Sequence, residues 1–189
     1  MNAMVCDQKN PINTGKWDRC YKELDQNSPR GYGADVSYEK AAAFFSDVDL
    51  VEDWGCGAGG FKRIWKKNYI GIDGSNTPFA DRIVDLCSYR SDVDGILIRH
   101  ILEHNVLWEN ILRNAIASFR KKLCLVLFTP LVEKTRQIAY HEKNDVPDIS
   151  FALEDLERHF SGLIWRMELY RVENSLYRTE ILFYCERPS

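Results

Sequence analysis

The segment VEDWGCGAGG, at 51–60, contains the pattern G-x-G-x-x-G. Gly55, Gly57 and Gly60 follow an apolar run that predicts a strand and precede residues that predict a short helix, which is the context of a nucleotide-binding loop. Glycine suits such a loop because the backbone must turn sharply and approach a ligand with no Cβ in the way. A tight strand-to-helix turn without a ligand has the same spacing, so the loop on its own leaves both interpretations open.

Two aspartates near this loop narrow the choice of ligand. Asp53 lies two residues before the first glycine, where its carboxylate would repel the pyrophosphate that a dinucleotide places on a helix N-terminus. The same carboxylate suits S-adenosylmethionine, whose ammonium and sulfonium groups are cationic. Asp73 ends the next predicted strand, and a carboxylate there can accept hydrogen bonds from both hydroxyls of a ribose. An Asp-Gly turn would also place an aspartate at this point, but the two acids together favour S-adenosylmethionine.

These residues resemble the first motif of class I S-adenosylmethionine-dependent methyltransferases, in particular the compact group in which it reads V-L-D-x-G-C-G-x-G. The resemblance runs from about Val48 to the C-terminus and implies a Rossmann-like sheet of seven strands whose last strand is antiparallel. It implies these cofactor-binding residues: Asp53, Gly55, Cys56 and Gly57 at the methionine end, Asp73 and Gly74 at the ribose, and Asp85 with Leu86 at the adenine. For Asp85, a surface acid that closes a strand is an equally good interpretation.

The stretch RHILEHN, at 99–105, is the candidate for catalysis. It resembles the V-L-E-H stretch that follows the fourth strand in the same families, and the resemblance places it beside the transferred methyl group. A histidine there could remove a proton from an acceptor hydroxyl, because an imidazole titrates near neutral pH. The candidate catalytic residues are therefore His100, Glu103 and His104, with packing at the start of the next helix as the structural alternative.

A metal site is a second interpretation of this stretch. Glu103, His104 and His100 could present metal ligands, with His141 as a further one. Some methyltransferases that act on vicinal hydroxyls carry an E-x-x-E-H stretch at this place, but here His100 replaces the first glutamate. We therefore predict a site without a metal. The alternatives are a metal-assisted O-methyltransferase acting on RNA or a vicinal diol, and a non-catalytic S-adenosylmethionine-binding module.

Strand and helix patterns alternate along the chain, which predicts an α/β fold with a mostly parallel sheet and a C-terminal antiparallel hairpin. Strands are predicted at 48–54, 69–72, 82–86, 95–99, 123–128, 163–170 and 177–185. Helices are predicted at 16–25, at 37–45 with Ser37 as N-cap, at 60–66, from an N-cap at Asn105 to about 119, and at 152–160, with a long loop at 130–149. Only 74–81 separates the second strand from the third, so the helix that usually covers such a crossover is predicted to be missing.

The chain is predicted to form one methyltransferase domain at 47–189, preceded by an N-terminal tail and lid helices at 1–46. The aromatic residues of that N-terminal part include Trp17, Tyr21, Tyr32 and Tyr38. They could form a lid that excludes water from the cofactor, or they could pack in the ordinary way.

Composition limits the partners. The net charge of −3 gives no overall positive field, so nucleic acid is not an expected partner. The longest apolar run is too short to cross a bilayer, the N-terminus has no signal-peptide pattern, and the scattered cysteines favour a reducing cytoplasm. We predict an S-adenosylmethionine-dependent methyltransferase that transfers a methyl group to an oxygen or nitrogen of a small molecule or glycan precursor. The oligomeric state stays open.

Overall fold

The computed structural model describes residues 14–188 apart from 32, 34, 143, 144 and 174, and for 14–16 it describes the backbone only. Within this part of the chain the helices are α1 (Thr14–Tyr21), α2 (Val36–Phe44), α3 (Gly60–Ile64), α4 (Trp108–Ser118) and α5 (Leu153–Glu157). The strands are β1 (Leu50–Trp54), β2 (Asn68–Asp73), β3 (Arg82–Ile83), β4 (Val93–Arg99), β5 (Phe119–Leu127), β6 (Arg136–His141), β7 (Val146–Ser150), β8 (Ile164–Arg171) and β9 (Thr179–Glu186). Short 3-10 turns follow β4 and α5, at Leu102–His104 and Arg158–Phe160. None of the described helices is long and apolar enough to span a membrane.

The large sheet has seven strands in the order β3-β2-β1-β4-β5-β9-β8. The strands from β3 to β5 pair in parallel, whereas β9 runs antiparallel to both β5 and β8. This arrangement confirms the predicted α/β fold, its mostly parallel sheet and its C-terminal antiparallel hairpin.

The central strand β4 is buried at every residue because apolar layers cover both faces of the sheet. On one face, Ile98 belongs to an apolar cluster with Leu112 of α4. On the other face, Leu97 belongs to a second cluster with Ala41 of α2 and Phe61 of α3. Burial on both faces explains why Ile96, Leu97 and Ile98 are consecutive apolar residues rather than an alternating pattern.

The chain runs from β1 outward to β2 and β3 and then returns to β4 on the other side of β1. Connections therefore leave β1 and β4 in opposite directions, which opens a crevice at the carboxyl ends of these strands. The glycine loop follows β1, Asp73 ends β2, and His100 follows β4. The glycine loop, Asp73 and His100 thus meet at one edge of the sheet.

The described connection between β2 and β3 contains no helix, as predicted. Phe79 is buried in this connection, and its carbonyl oxygen lies 2.2 Å from the point where a Cβ of Gly71 would be. The carboxylate of Asp81 accepts a hydrogen bond from the Gly71 amide at 2.7 Å. The connection therefore lies directly against β2, and it can do so because Gly71 has no side chain.

The prediction of a loop at 130–149 is wrong, because β6 and β7 form a two-stranded antiparallel sheet there. β6 is mostly polar and leaves its side chains exposed or half-buried, so it has no apolar strand pattern. β7 contains Pro147, and a proline usually argues against a strand interior. β7 is nevertheless buried throughout and contacts the 3-10 turn at Leu102–His104.

Both predicted N-caps are also wrong, because neither side chain caps its helix and each forms a hydrogen bond elsewhere. α2 begins one residue before Ser37, whose hydroxyl accepts a hydrogen bond from Nε of Arg99 at 2.9 Å. α4 begins at Trp108, and the Asn105 side chain donates to the carbonyl oxygen of Ile101 at 2.6 Å.

Candidate active site

Two adjoining cavities lie at the carboxyl ends of β1, β2 and β4. The first, of about 330 Å³, is lined in part by Arg99, His100 and Glu180 and is named the Arg99 cavity. The second, of about 390 Å³, is lined in part by Asp85 and Leu86 and is named the Leu86 cavity. Six residues line both cavities and form their common wall: Trp17, Gly55, Asp73, Ile101, His104 and Asn105. One elongated ligand could therefore occupy both cavities.

The glycine loop forms part of this common wall and depends on positive backbone angles. φ is +81° at Gly55, +51° at Gly57 and +77° at Gly59. A Cβ at Gly55 would lie 2.0 Å from Cδ1 of Ile101. Gly60, which completes the sequence motif, has no positive φ, but a Cβ there would lie 2.4 Å from the Tyr38 hydroxyl. The loop thus tolerates no side chain at these points.

Asp73 lies in the common wall and also holds the glycine loop in place. One carboxylate oxygen accepts a hydrogen bond from the Gly57 amide at 2.9 Å, and the other accepts one from the Ser75 amide at 2.8 Å. Burial raises the pKa of Asp73, while these amide hydrogen bonds oppose that shift. Each carboxylate oxygen keeps a second lone pair that a ligand hydroxyl could use.

The residues predicted at the adenine end line the Leu86 cavity. Leu86 is buried, Asp85 is exposed, and Gly74 lies beside Asp73. Asp85 lies in the segment that follows β3. Its carboxylate accepts a hydrogen bond from the Cys87 amide at 2.9 Å, which fixes the orientation of the carboxylate. The structure thus brings together the adenine and ribose residues that the resemblance implied.

Asp53 is the predicted cofactor residue that lines neither cavity. It is buried on β1, and the hydroxyl of Tyr69 donates to its carboxylate at 3.0 Å. Burial raises the pKa of Asp53 to about 7, although the hydrogen bond from Tyr69 opposes the shift. The remaining predicted residues of the methionine end, Gly55, Cys56 and Gly57, all line the Arg99 cavity.

A buried ion pair that the sequence analysis missed lines the Arg99 cavity. Nη2 of Arg99 lies 2.8 Å from the carboxylate of Glu180, and Nη1 donates to the Tyr38 hydroxyl at 3.1 Å. Glu180 also accepts a hydrogen bond from Tyr170. Burial would raise the pKa of Glu180, but its contacts with His100, Arg99 and Tyr170 lower it to about 2. Glu180 directly precedes the apolar run of β9, and an acid at that position is the sequence signal that could have pointed to this site.

His100 lines the Arg99 cavity as a neutral residue. Burial and the neighbouring Arg99 lower its pKa to about 4. Its Nε2 lies 2.9 Å from the Glu180 carboxylate but has no well-aligned hydrogen-bond partner among the described residues. Its φ is +57°, a left-handed conformation that is rare for residues with a side chain and concentrates at functional sites.

His104 lies in the common wall, and a contact with β7 determines the tautomer of its neutral ring. Nδ1 lies 2.9 Å from the carbonyl oxygen of Pro147. Since a carbonyl oxygen can only accept, Nδ1 carries the proton and Nε2 carries the free lone pair of the neutral ring. Nδ1 also lies 3.4 Å from Oδ1 of Asp148, a contact that becomes an ion pair when the ring takes a second proton.

Asp148 supports His104 from the strand that the sequence analysis did not predict. Its other carboxylate oxygen accepts a hydrogen bond from the Tyr177 hydroxyl at 2.8 Å and lies 2.9 Å from Nε2 of His141. Burial would raise the pKa of Asp148, but the contacts with His104, His141 and Tyr177 lower it to about 2. A buried anion therefore lies beside the His104 ring at neutral pH.

Glu103 lines neither cavity and is fully buried. Its carboxylate accepts a hydrogen bond from the Phe128 amide at 2.6 Å, and Phe128 lines the Arg99 cavity. Burial raises the pKa of Glu103 to about 7. Glu103 thus holds the backbone of Phe128 in place, and its predicted part in catalysis stays a prediction.

The first described helix covers the common wall of the two cavities. The Trp17 ring of α1 lines both cavities, and its centroid lies 5.9 Å from that of His104. The Asp18 carboxylate accepts a hydrogen bond from the Asn76 amide at 2.7 Å, which ties α1 to the connection at 74–81. The lid stays a prediction, and its Tyr32 lies outside the described residues, as do residues 1–13 of the predicted tail.

No three histidine, cysteine, aspartate or glutamate side chains in the described part of the chain are grouped so as to hold a metal ion. His141, the possible further ligand of the metal alternative, lies against Asp148. The metal alternative therefore has no ligand cluster among the described residues.

No protein-family model and no curated protein matches this sequence. Solved structures do match it. The 1,6-didemethyltoxoflavin-N1-methyltransferase of Burkholderia thailandensis has a TM-score of 0.62 and 13% identity, over 82% of this chain and 80% of that one. The magnesium protoporphyrin IX methyltransferase of Synechocystis has a TM-score of 0.59 and 14% identity, over 95% of this chain and 93% of that one. An S-adenosylmethionine-dependent methyltransferase of Methanosarcina mazei has a TM-score of 0.56 and 12% identity, over 77% of this chain and 95% of that one.

The strand order, with its crevice between β1 and β4, agrees with these similarities. So does the antiparallel β9 inserted between β5 and β8. The chain therefore has the fold of the class I S-adenosylmethionine-dependent methyltransferases.

Proposed function

We propose that this protein is an S-adenosylmethionine-dependent methyltransferase that transfers a methyl group to an oxygen or nitrogen of a small-molecule acceptor. The observation that carries the proposal is the position of Asp73 in the common wall, where its carboxylate also holds the glycine loop through Gly57. Two of the similar structures contain S-adenosylmethionine or S-adenosylhomocysteine, which supports this cofactor. When bound, the cofactor supplies a methyl group made electrophilic by its sulfonium.

The residues present fit this cofactor along its length. The Leu86 cavity offers apolar contacts from Ile83 and Ile111 to an adenine ring, and the Asp85 carboxylate can accept from its amino group. Asp73 can accept from the ribose hydroxyls with the lone pairs that its backbone hydrogen bonds leave. The open backbone of the glycine loop permits close approach of the methionine end in the Arg99 cavity.

His104 is the residue that best fits the role of general base toward the acceptor. It lines both cavities, and the carbonyl of Pro147 leaves its free lone pair on Nε2. When Nε2 takes a proton, the anionic Asp148 beside Nδ1 stabilises the imidazolium that forms. His100 is a weaker candidate, because a pKa of about 4 makes it a poor base.

Titration calorimetry tests the choice of cofactor. We expect S-adenosylhomocysteine to bind with micromolar affinity and NAD to give no heat. Replacing Asp73 with Asn should weaken S-adenosylhomocysteine binding by about tenfold or more, because the ribose loses charge-assisted hydrogen bonds. Asp92→Asn is the matched control, since the Asp92 side chain is 79% exposed and lines neither cavity. Tight binding of NAD without binding of S-adenosylhomocysteine would overturn the proposal.

A further inference from the structure

A continuous row of five rings lines the Arg99 cavity and is named the ring wall: Tyr21, Trp17, His104, Phe128 and His100. Along this row the ring centroids are separated by 5.8, 5.9, 5.3 and 5.0 Å. These separations lie within the range of stacked and edge-to-face contacts between aromatic groups. The cavity therefore presents to an acceptor a surface made of ring faces and edges, which favours a flat unsaturated partner.

The described lining of the Arg99 cavity contains one arginine, and a glutamate of the same cavity neutralises it, while Asp73 adds no positive charge. Arg99 forms its 2.8 Å ion pair with Glu180, and both side chains are buried. His100 is neutral at ordinary pH because its pKa is about 4. Among the described residues of this cavity, an anionic acceptor would meet no cation other than one that a carboxylate already balances. The cavity therefore suits an uncharged acceptor better than a phosphate or carboxylate compound.

The ring wall contains the proposed base itself. The centroids of His104 and Phe128 are 5.3 Å apart, and their planes are inclined by 43°. A ring that packs on Phe128 thus brings its substituents to the edge of the imidazole. The Phe128 amide is held in turn by the buried Glu103, which fixes where this packing surface lies.

On these grounds we propose that the acceptor is an uncharged planar aromatic compound that packs on Phe128 and presents a ring hydroxyl or ring N–H to His104. This inference rests on the proposed function and specifies its substrate class. In the reaction, the acceptor atom gives its proton to Nε2 of His104 and forms a bond to the methyl carbon. The bond between that carbon and sulfur breaks, its electron pair stays on sulfur, and the products are the methylated ring compound and S-adenosylhomocysteine.

The test uses the full chain saturated with S-adenosylhomocysteine and follows binding of probes by calorimetry. Three hydroxyarenes are compared with two non-aromatic alcohols: 2-naphthol, 4-nitrophenol and 7-hydroxycoumarin against cyclohexanol and methyl glucoside. We expect the hydroxyarenes to bind and the alcohols not to bind. Phe128→Leu should weaken hydroxyarene binding by about tenfold, since the stacking surface is lost. Phe160→Leu is the matched control, because Phe160 is a buried phenylalanine that lines neither cavity.

The protonation state of bound 7-hydroxycoumarin gives a second readout, because its anion and its neutral form differ in absorption and fluorescence. At a pH below the dye's own pKa, we expect the bound dye to be largely anionic in the wild type and neutral in His104→Gln. An unchanged spectrum in that variant would contradict the contact with His104.

Two further results would overturn the substrate class. One is binding of cyclohexanol or methyl glucoside as tightly as the hydroxyarenes, and the other is failure of all three hydroxyarenes to bind a complex that retains S-adenosylhomocysteine. Failure of S-adenosylhomocysteine itself to bind would count against the proposed function instead, so the two failures can be told apart.

Discussion

His100 and His104 lie one helical turn apart in sequence, yet their surroundings give them different chemistry. His100 is buried against Arg99 and Glu180, which keeps its imidazole neutral with a pKa of about 4. His104 has its Nδ1 proton held by a backbone carbonyl and an anionic Asp148 nearby. The sequence predicted both histidines as candidate catalytic residues, but only their contacts with β7 and β9 distinguish them.

The role of Asp148 can be tested by a substitution that keeps its shape. Asp148→Asn removes the negative charge beside His104, so the imidazolium formed during proton removal loses its stabilising partner. We expect kcat with a hydroxyarene acceptor to fall by roughly 10-fold to 1,000-fold, with no change in affinity for S-adenosylhomocysteine. The control is Asp94→Asn, since Asp94 is also a buried, paired acid but lines neither cavity. Equal losses of kcat in both variants would mean that the effect is one of general destabilisation.

Glu103 should make stability depend on pH. Its pKa in the folded protein, about 7, lies above its ordinary value of 4.5, so folding favours the protonated form. The corresponding stabilisation is complete below about pH 4.5 and is lost as pH rises through about 7, a change of up to roughly 3 kcal/mol. In Glu103→Gln this loss should disappear, because the amide does not titrate and can still accept from the Phe128 amide.

Urea unfolding of both proteins at several values between about pH 5 and pH 8 measures this difference. Asp53, whose pKa is also raised to about 7, is present in both proteins, so the comparison isolates Glu103. Parallel curves of unfolding free energy against pH would show that Glu103 does not ionise in this range.

At the scale of elements, the glycine loop between β1 and α3 makes a prediction that separates backbone strain from ligand binding. Gly57 and Gly162 both have positive φ, +51° and +79°, so alanine is strained at either position. Only Gly57 lines a cavity, and a Cβ there would lie 3.0 Å from the Tyr21 hydroxyl, whereas a Cβ at Gly162 would contact nothing within 4 Å.

We therefore expect Gly57→Ala to weaken S-adenosylhomocysteine binding by about tenfold or more. Gly162→Ala should lower the free energy of unfolding by about 1 kcal/mol and leave the affinity for S-adenosylhomocysteine unchanged. Calorimetry and urea unfolding on the two variants give both quantities. A loss of affinity in Gly162→Ala as large as in Gly57→Ala would refute the assignment of the loop to the ligand.

The elements that carry local signals could be predicted from the sequence, and those set by distant contacts could not. Two apolar runs predicted β1 and β2, since the first is followed by the glycine loop and the second ends in Asp73. The same two features predicted the cofactor end of the site. The sequence did not predict β6 because most of its side chains are polar, and it did not predict β7 because this strand contains Pro147. The role of Asp148 in β7 was therefore not predicted either. Arg99 and Glu180 lie 81 positions apart in the sequence, so no local sequence pattern indicates that they pair.

At the scale of the whole molecule, the two cavities unite parts of the chain that are far apart in sequence. The sheet supplies Asp73 and the glycine loop, α1 supplies Trp17, and the small β6–β7 sheet supports His104 from outside the main sheet. The mostly parallel sheet could be predicted because strand and helix patterns alternate along the chain, and parallel strands place their carboxyl ends together. The acceptor side could not, because it depends on how the additional segments pack on that edge.

A crystal structure of the protein with S-adenosylhomocysteine tests the central claim most directly. We expect the adenine in the Leu86 cavity near Asp85, and both ribose hydroxyls within hydrogen-bonding distance of the Asp73 carboxylate. We also expect the homocysteine end along Gly55 and Gly57 in the Arg99 cavity, with its sulfur directed toward the ring wall. A ligand bound outside these cavities, or a ribose turned away from Asp73, would refute the proposed cofactor site.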